Sequence, residues 1–494
     1  MRKDHKQISY TRVATNRGQP RLWLESLRLA ACGFEPGSRY NVIFDLDARR
    51  VILRIDAAGD RVVSGRSRTL SDGQQRKTPI IDIAGASLRE TFTEGQRLRA
   101  VLSPGEITFD LHPMEVAREE REARTRRNVE AGVIREGTLC AGGGVSTWAM
   151  QEGLEAAGLR TQVDWVVDRE GRYLEVASQN NPAITGATRL YEATLEEIDL
   201  SALTPVDLVQ VSLPCTGHSP SGKAKRSLKC AEEHPTDALA VYGLLRILEA
   251  VNPSVVVSEN VKQAANSASY AIVRAYLLAQ GYNITETVIN GTDAGTIENR
   301  ERWWLVATSA GLDANALDLE DLQPQPQRYA TLGEAMDQID HDHPSWKDYA
   351  YLDAKAARDK AAGKGFARQF VDESSTSVGT IGKGYMKARS TECFVLRADG
   401  KQRLLNPAEH ARVKGIPEAL VHGVPATLAH EVLGQSILWP HASAIATLVG
   451  HHLRGLISAV KRPAVTAEVF DMPAPVSPAE GEHPGPTRQL ALVL

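Results

Sequence analysis

The sequence predicts a doubly wound α/β fold preceded by a small β domain, and three observations carry that prediction. From Gly137 onward, short apolar runs alternate with amphipathic helical stretches, the runs reading TLCAGG, VDWVVDR, DLVQVSL, SVVVSENV, ITETVIN and RWWLVAT. The first run ends in a glycine-rich turn, GTLCAGGGVS at Gly137 to Ser146, which opens a helix through Trp148 to Ala157. Such strand-to-helix turns let backbone amides approach a ligand closely. Before Pro113 the period is different: strand, turn, strand units recur at Gly33 to Asp56 and at Phe92 to Leu111.

A length of 494 residues exceeds one ordinary domain. Residues 1–19 read as a polar leader and 20–113 as the small β domain. Residues 114–132, dense in Glu, Arg and Ala with opposite charges at i, i+4 spacing, read as an exposed helical linker. Residues 133–311 form the first part of the α/β domain, 312–384 a polar, aperiodic insert, and 385–460 the return to the α/β domain. Residues 461–494, rich in Pro, Ala and Glu, read as a disordered tail.

The net charge of −4 gives no global attraction to nucleic acid, so DNA contact requires local basic patches. Five cysteines, odd in number and without metal-ligand spacing, fit a reducing, cytoplasmic setting with no disulfide framework. No apolar run of about 18 residues and no signal-peptide core occurs, so neither membrane nor export is indicated. His341 and His343 lack a third ligand, and no metal is expected.

The chemistry centres on Asp207 to Lys223, DLVQVSLPCTGHSPSGK. Leu208 to Leu213 is a buried-strand pattern, Pro214 ends it, and Cys215 falls on a turn at the carboxyl edge of the sheet, where open α/β folds bind ligands. A lone cysteine is usually a small buried hydrophobe. What lifts Cys215 out of that class is its company downstream. PSVVVSENV at Pro253 to Val261 is a second buried strand that delivers Glu259 and Asn260 to the same edge. ENRERWWLVA at Glu298 to Ala307 places Arg300 and Arg302 two residues apart, on one face, before a third strand.

In this order the motifs resemble the DNA cytosine-5 methyltransferase family: a glycine-rich first turn, Pro-Cys, Glu-Asn-Val, Arg-x-Arg and a late Gly-Asn-Ser, which reads Gly-Gln-Ser here. LNPAEHARVKGIPEAL at Leu405 to Leu420 and LGQSILWPHASAIA at Leu433 to Ala446 are similar to its last two motifs. The departures are Cys140 for an aromatic, Thr216 for Gln, His218 for an aromatic, Ile297-Glu298 for Pro-Gln, and Gln435 for Asn. The stretch RLWLESLRLAACGFEPGSRYNV also resembles small swapped-hairpin DNA-binding and toxin-like domains of bacteria.

The resemblance implies an S-adenosylmethionine-dependent methyltransferase sheet with an inserted target-recognition region, acting on C5 of a flipped-out cytosine through a Cys215–C6 adduct. Glu259, neutral or sharing a proton with N3, would assist at the ring nitrogen. Asn260 would orient the loop, and Arg300 and Arg302 would hold the base carbonyl or the thiolate. Cys140, Gly142, Gly143, Gly144, Asp168, Glu192, Pro214, Gln435 and Ser436 would bind S-adenosylmethionine. The aromatic that the family places beside the acid at Asp168 is missing. His218, Ser219, Lys223, Arg368, Lys383, Lys387 and Arg389 would contact DNA. The partner expected is double-stranded DNA, bound by a monomer. Two other classes stay open: an RNA cytosine-5 methyltransferase, and a catalytically weak scaffold. The last six residues, Gln489 to Leu494, read QLALVL and resemble the peptide by which bacterial replication proteins hold the sliding clamp; they also read as a merely apolar terminus.

Overall fold

The computed structural model describes residues 6–69, 74–215, 217–218, 229–234, 237–291, 293, 295–312, 316–323, 325–363 and 368–460. Ser219, Lys223 and the Gln489 to Leu494 peptide lie outside them.

Seven strands form the central sheet: β1 Val133–Leu139, β2 Arg160–Asp168, β3 Arg189–Glu192, β4 Leu208–Val211, β5 Val255–Asn260, β6 Tyr282–Ile289 and β7 Arg302–Ser309. Their order is β3-β2-β1-β4-β5-β7-β6. β7 runs antiparallel to both of its neighbours, and the other pairings are parallel. β4 and β5 are buried along their whole length, as apolar runs covered on both faces must be. Alternate residues feed two cores. Val255, Val257, Trp304 and Val306 face one side, and Val256, Trp303, Leu305 and Ala307 the other. The strand order turns back between β1 and β4, and there the carboxyl ends splay to leave a crevice.

Helix α1, Pro113–Glu130, is not the exposed linker that its charges suggest. Arg121 donates to Ser309 Oγ at 2.9 Å and to the Gln280 carbonyl at 2.7 Å, and its guanidinium lies over the Tyr282 ring. Arg124 donates to the carbonyls of Val206 and Asn252, each at 2.6 Å. The wholly buried Asp207 accepts from Thr125 Oγ1 at 2.9 Å, Asn128 Nδ2 at 2.7 Å and the Arg135 amide at 3.0 Å. The helix therefore seals the edge of the sheet opposite the crevice, satisfying backbone groups that strand ends leave open. Charge spacing alone does not reveal this, because a buried arginine and an exposed one look alike in sequence.

On the other side of α1 stands the β domain, with a six-stranded sheet and a four-stranded one around Leu22, Phe34, Tyr40, Val51, Ile81 and Phe109. The two repeated hairpins, Arg39–Asp45 with Arg50–Ile55 and Arg97–Ser103 with Glu106–Leu111, sit side by side, joined through their second strands. Gln7–Arg12 pairs along Arg97–Ser103 at the edge of one sheet and Ala14–Asn16 along Gln19–Glu25 at the edge of the other, so the described part of the expected leader is largely edge strand. Backbone pairing orders it, while alternate exposed residues keep its composition polar. Glu119 of α1 pairs with Arg49 at 2.5 Å and accepts from Gln96 at 3.0 Å, which fastens the β domain to the helix.

The insert has its own small sheet, Gln369–Val371, Cys393–Leu396 and Gln402–Arg403. Its core takes in Tyr385, Val395 and Leu405, so it reaches past the expected boundary at 384. Helices α2 Val145–Ala156, α3 Gly171–Asn180, α4 Ala240–Val251 and α5 Ala268–Ala279 cover the central sheet, and after the insert the chain returns through α6 Pro407–Val413, α7 Ala426–Gln435 and α8 Trp439–Val460, with α8 lying along α2. Among the described residues no single helix is long and apolar enough to cross a membrane.

Replacing Asp207 with Ala strands several buried donors and should cost about 3–5 kcal/mol of stability. Urea denaturation of the variant against the parent measures it.

Candidate active site

The loop after β4 sets Cys215 at the crevice. Pro214 breaks the strand, and the Cys215 carbonyl closes a turn by accepting from the His218 amide at 3.0 Å. At the end of β5, Asn260 Nδ2 donates to the Leu213 carbonyl at 2.9 Å, and its Oδ1 accepts from the Val261 amide at 2.9 Å. Asn260 thus ties the loop bearing the thiol to the strand bearing Glu259. The thiol opens into a cavity of about 450 Å³ lined also by Glu259, Arg300, Arg302, Gly142 and Asp168. The protein mass behind it desolvates the thiolate and pushes the thiol above its ordinary value. Glu259 adds to that shift, while Arg302 and Arg300 oppose it.

The antiparallel course of β7 brings the arginines in. Asn260 pairs with Trp303, so Arg302, the first residue of β7, stands beside the end of β5. Its Nε meets Glu259 Oε1 at 2.9 Å. Burial brings Arg302 down to about 10, with Arg300 adding repulsion and Glu259 opposing both. Arg300 is buried; its guanidinium donates to the carbonyls of Ile381 and Gly434, each at 3.4 Å, and meets Glu298 at 3.3 Å.

The glycine turn forms the far wall. Gly142, at φ +54°, points its amide at Asp168 Oδ2, 2.7 Å away, and Asp168 Oδ1 accepts from the Glu170 amide at 2.9 Å. Burial raises the Asp168 carboxyl, and these two amides pull it back. Cys140, Gly142, Gly143, Pro214, Gln435 and Ser436 line the same cavity. Gly144 does not; it caps α2, and its carbonyl accepts from Asn181 Nδ2 at 2.7 Å. A side chain at Gly434 would meet the backbone of Gly382 at 2.4 Å, and that crossing presses the end of α7 against the insert.

Several expected positions fall elsewhere. Glu192 is exposed and packs against Gly171; Thr194, Leu195 and Glu196 line the cavity in its place, because β3 ends before the chain bends inward. His218 is 6% exposed and faces the Tyr270 ring. Arg368, with a side chain 4% exposed, pairs with Asp353 and stacks between Phe370 and Phe394; it builds the core of the insert rather than its surface. Lys383 is exposed and lines the cavity, with its ammonium 4.9 Å from the centre of the Tyr173 ring. Lys387 and Arg389 are exposed. Glu170, Tyr173 and Asp237 also line the cavity; no motif marks them, since each arrives on an ordinary helix or loop.

A family model for C-5 cytosine-specific DNA methylases matches residues 139–451, leaving the β domain and α1 outside. The Type II methyltransferase M.NlaX of Neisseria lactamica is 26% identical over 271 residues, covering 54% of this chain and 82% of that protein. The Type II methyltransferase M.MspI of Moraxella sp is 25% identical over 265 residues, covering 53% and 60%. In fold, the chain is similar to the Dnmt2 methyltransferase of S. pombe, with a TM-score of 0.50 at 17% identity, covering 67% of this chain and all of that one. EhMeth of Entamoeba histolytica is comparable, with a TM-score of 0.51 at 15% identity, covering 67% and 99%.

Iodoacetamide should alkylate Cys215 with a pH midpoint above the ordinary thiol value, and Arg302→Met should move it higher by removing a cation that opposes the shift. Mass spectrometry of the Cys215 peptide across pH reads both.

Proposed function

We propose, for a chain that belongs to the C-5 cytosine-specific DNA methylase family and methylates DNA cytosine at C5, that the reaction runs through a bond between Cys215 and C6 of the base. The observation that carries this is the convergence of the Cys215 thiol with the Arg302–Glu259 pair at one end of the cavity. The donor is S-adenosylmethionine, and the other end of the cavity suits it. The Gly142 turn is held open by Asp168, while Asp168 and Glu196 offer carboxylates to hydroxyls and Lys383 offers a cation to a carboxylate. Bound there, S-adenosylmethionine supplies an electrophilic methyl group.

Cytosine C5 is a poor nucleophile until C6 is attacked. Cys215 loses its proton to solvent and adds through sulfur to C6, leaving the electron pair of the former double bond on C5. Glu259 shares a proton with N3, so that negative charge does not build on the ring. Arg302 holds Glu259 in register and, with Arg300, lowers the cost of the thiolate. Once C5 is methylated, its proton leaves to a base, the double bond re-forms and the thiolate departs. A base stacked in a duplex cannot reach this crevice, so the cytosine must flip out. Exposed Lys387 and Arg389 on the insert suit contact with backbone phosphates.

Wild type, incubated with duplex DNA and methyl-labelled S-adenosylmethionine, should yield 5-methylcytosine by nucleoside mass spectrometry, and Cys215→Ser should yield none. Glu259→Gln should lower kcat by about 10²–10⁴-fold. DNA carrying 5-fluorocytosine, which cannot lose its C5 substituent as a proton, should trap wild type in a complex stable to denaturing gels.

The wider reading is of a cytoplasmic monomer working beside a restriction partner, as the Type II names of its relatives suggest, with Gln489 to Leu494 held by a sliding clamp. Deleting those six residues should abolish capture by purified clamp and leave methylation intact.

A further inference from the structure

Beneath the crevice lies a cluster of buried charge that the reaction as described does not use. Glu298 and Lys414 are both wholly buried, and Lys414 Nζ stands 2.6 Å from Glu298 Oε2. The other carboxylate oxygen, Oε1, faces Arg300 at 3.3 Å and accepts from the Ile381 amide at 2.9 Å. One carboxylate is therefore divided between two cations, and one of those cations lines the cavity with Cys215. The charged and titratable groups around Lys414 are Glu298, Arg300 and Arg302, with His410 on α6 and His430 stacked on His410. Burial pushes both histidines far toward the neutral form. With Lys414 charged, the site sums Arg300, Arg302 and Lys414 against Glu259 and Glu298, an excess of one positive charge.

We propose that Lys414 is a positioning residue for the reaction: by sharing the Glu298 carboxylate with Arg300 it keeps that carboxylate from neutralising Arg300 alone, and so leaves positive charge on Arg300 at the cavity it lines with Cys215. The inference rests on the reading of Cys215 as the nucleophile. Without Lys414, Glu298 has one buried cation left, Arg300, already 3.3 Å away, and a buried carboxylate draws closer to the cation that remains. Arg300 would then be neutralised from behind, and the thiolate would lose one of the two cations that favour it. Without Glu298, by contrast, Arg300 keeps its charge, and the buried Lys414 can shed a proton. A role as a simple strut between Glu298 and α6 predicts equal damage from either loss, whereas the electrostatic role predicts unequal damage.

The experiment compares full-length wild type, Lys414→Met, Glu298→Gln and the double variant by two readouts. One is the pH dependence of Cys215 alkylation by iodoacetamide, followed on its peptide; the other is kcat for DNA methylation. Lys414→Met should raise the thiol midpoint by about one pH unit and cost about ten-fold more in kcat than Glu298→Gln. The double variant, which has no charge on either side chain, should recover most of that difference. Equal losses in the two single variants with unmoved midpoints, or a double variant no better than Lys414→Met, would overturn the proposal. Should Lys414→Met fail to fold, an upward midpoint in Glu298→Gln or in the double variant overturns it as well. Failure of the underlying reading looks different: Cys215→Ser would still methylate, whatever the alkylation midpoints do.

Discussion

The antiparallel pairing of β7 with β5 is the constraint on which the site depends. A parallel strand in that position would put Arg302 at the amino-terminal edge, the full length of the sheet from Cys215. Reversal instead places the residue that starts β7 beside the one that ends β5, with Asn260 opposite Trp303. The Arg302–Glu259 contact then follows from register rather than from a long reach. Asn260 adds the second tie by gripping the Leu213 carbonyl, which holds the Cys215 loop against the same strand end.

Around this frame the protein gathers charge in a buried place, where each ion needs a partner. Glu259 is met by Arg302, and Glu298 is met by Lys414 and Arg300. The Arg300 guanidinium also donates to the carbonyls of Ile381, in the insert, and Gly434, at the end of α7. One guanidinium thus joins the crevice that holds Cys215, the insert and the returning helices. The close crossing of Gly434 with Gly382 reinforces the same junction.

The opposite edge of the sheet is closed by α1, whose arginines and Asp207 contacts satisfy strand-end carbonyls and amides. Because Glu119 of the same helix holds Arg49 and Gln96, the β domain is attached to a rigid element rather than to a tether. The arginines that give this domain its basic composition are largely committed: Arg49 to Glu119, Arg50 to Asp110 and Arg66 to Glu25.

By itself the sequence determined the alternating α/β plan, the strand ends that carry Cys215, Glu259 and Asn260, and the glycine turn, since each of these is a local pattern with a physical cause. Buried strands read as continuous apolar runs, and the turns at their ends read as Pro, Gly and small polar residues. The Arg300 and Arg302 spacing was equally legible. What remained for the tertiary structure was every decision that turns on a partner distant in the chain. Arg368 and Lys383 look alike in sequence, yet one builds the core of the insert and the other lines the cavity. Glu298 stands as a departure from a family pattern until Lys414, far along the chain, is found against it. Whether a charge is solvated, paired or aimed at a reacting atom depends on what folds over it, and no local period records that.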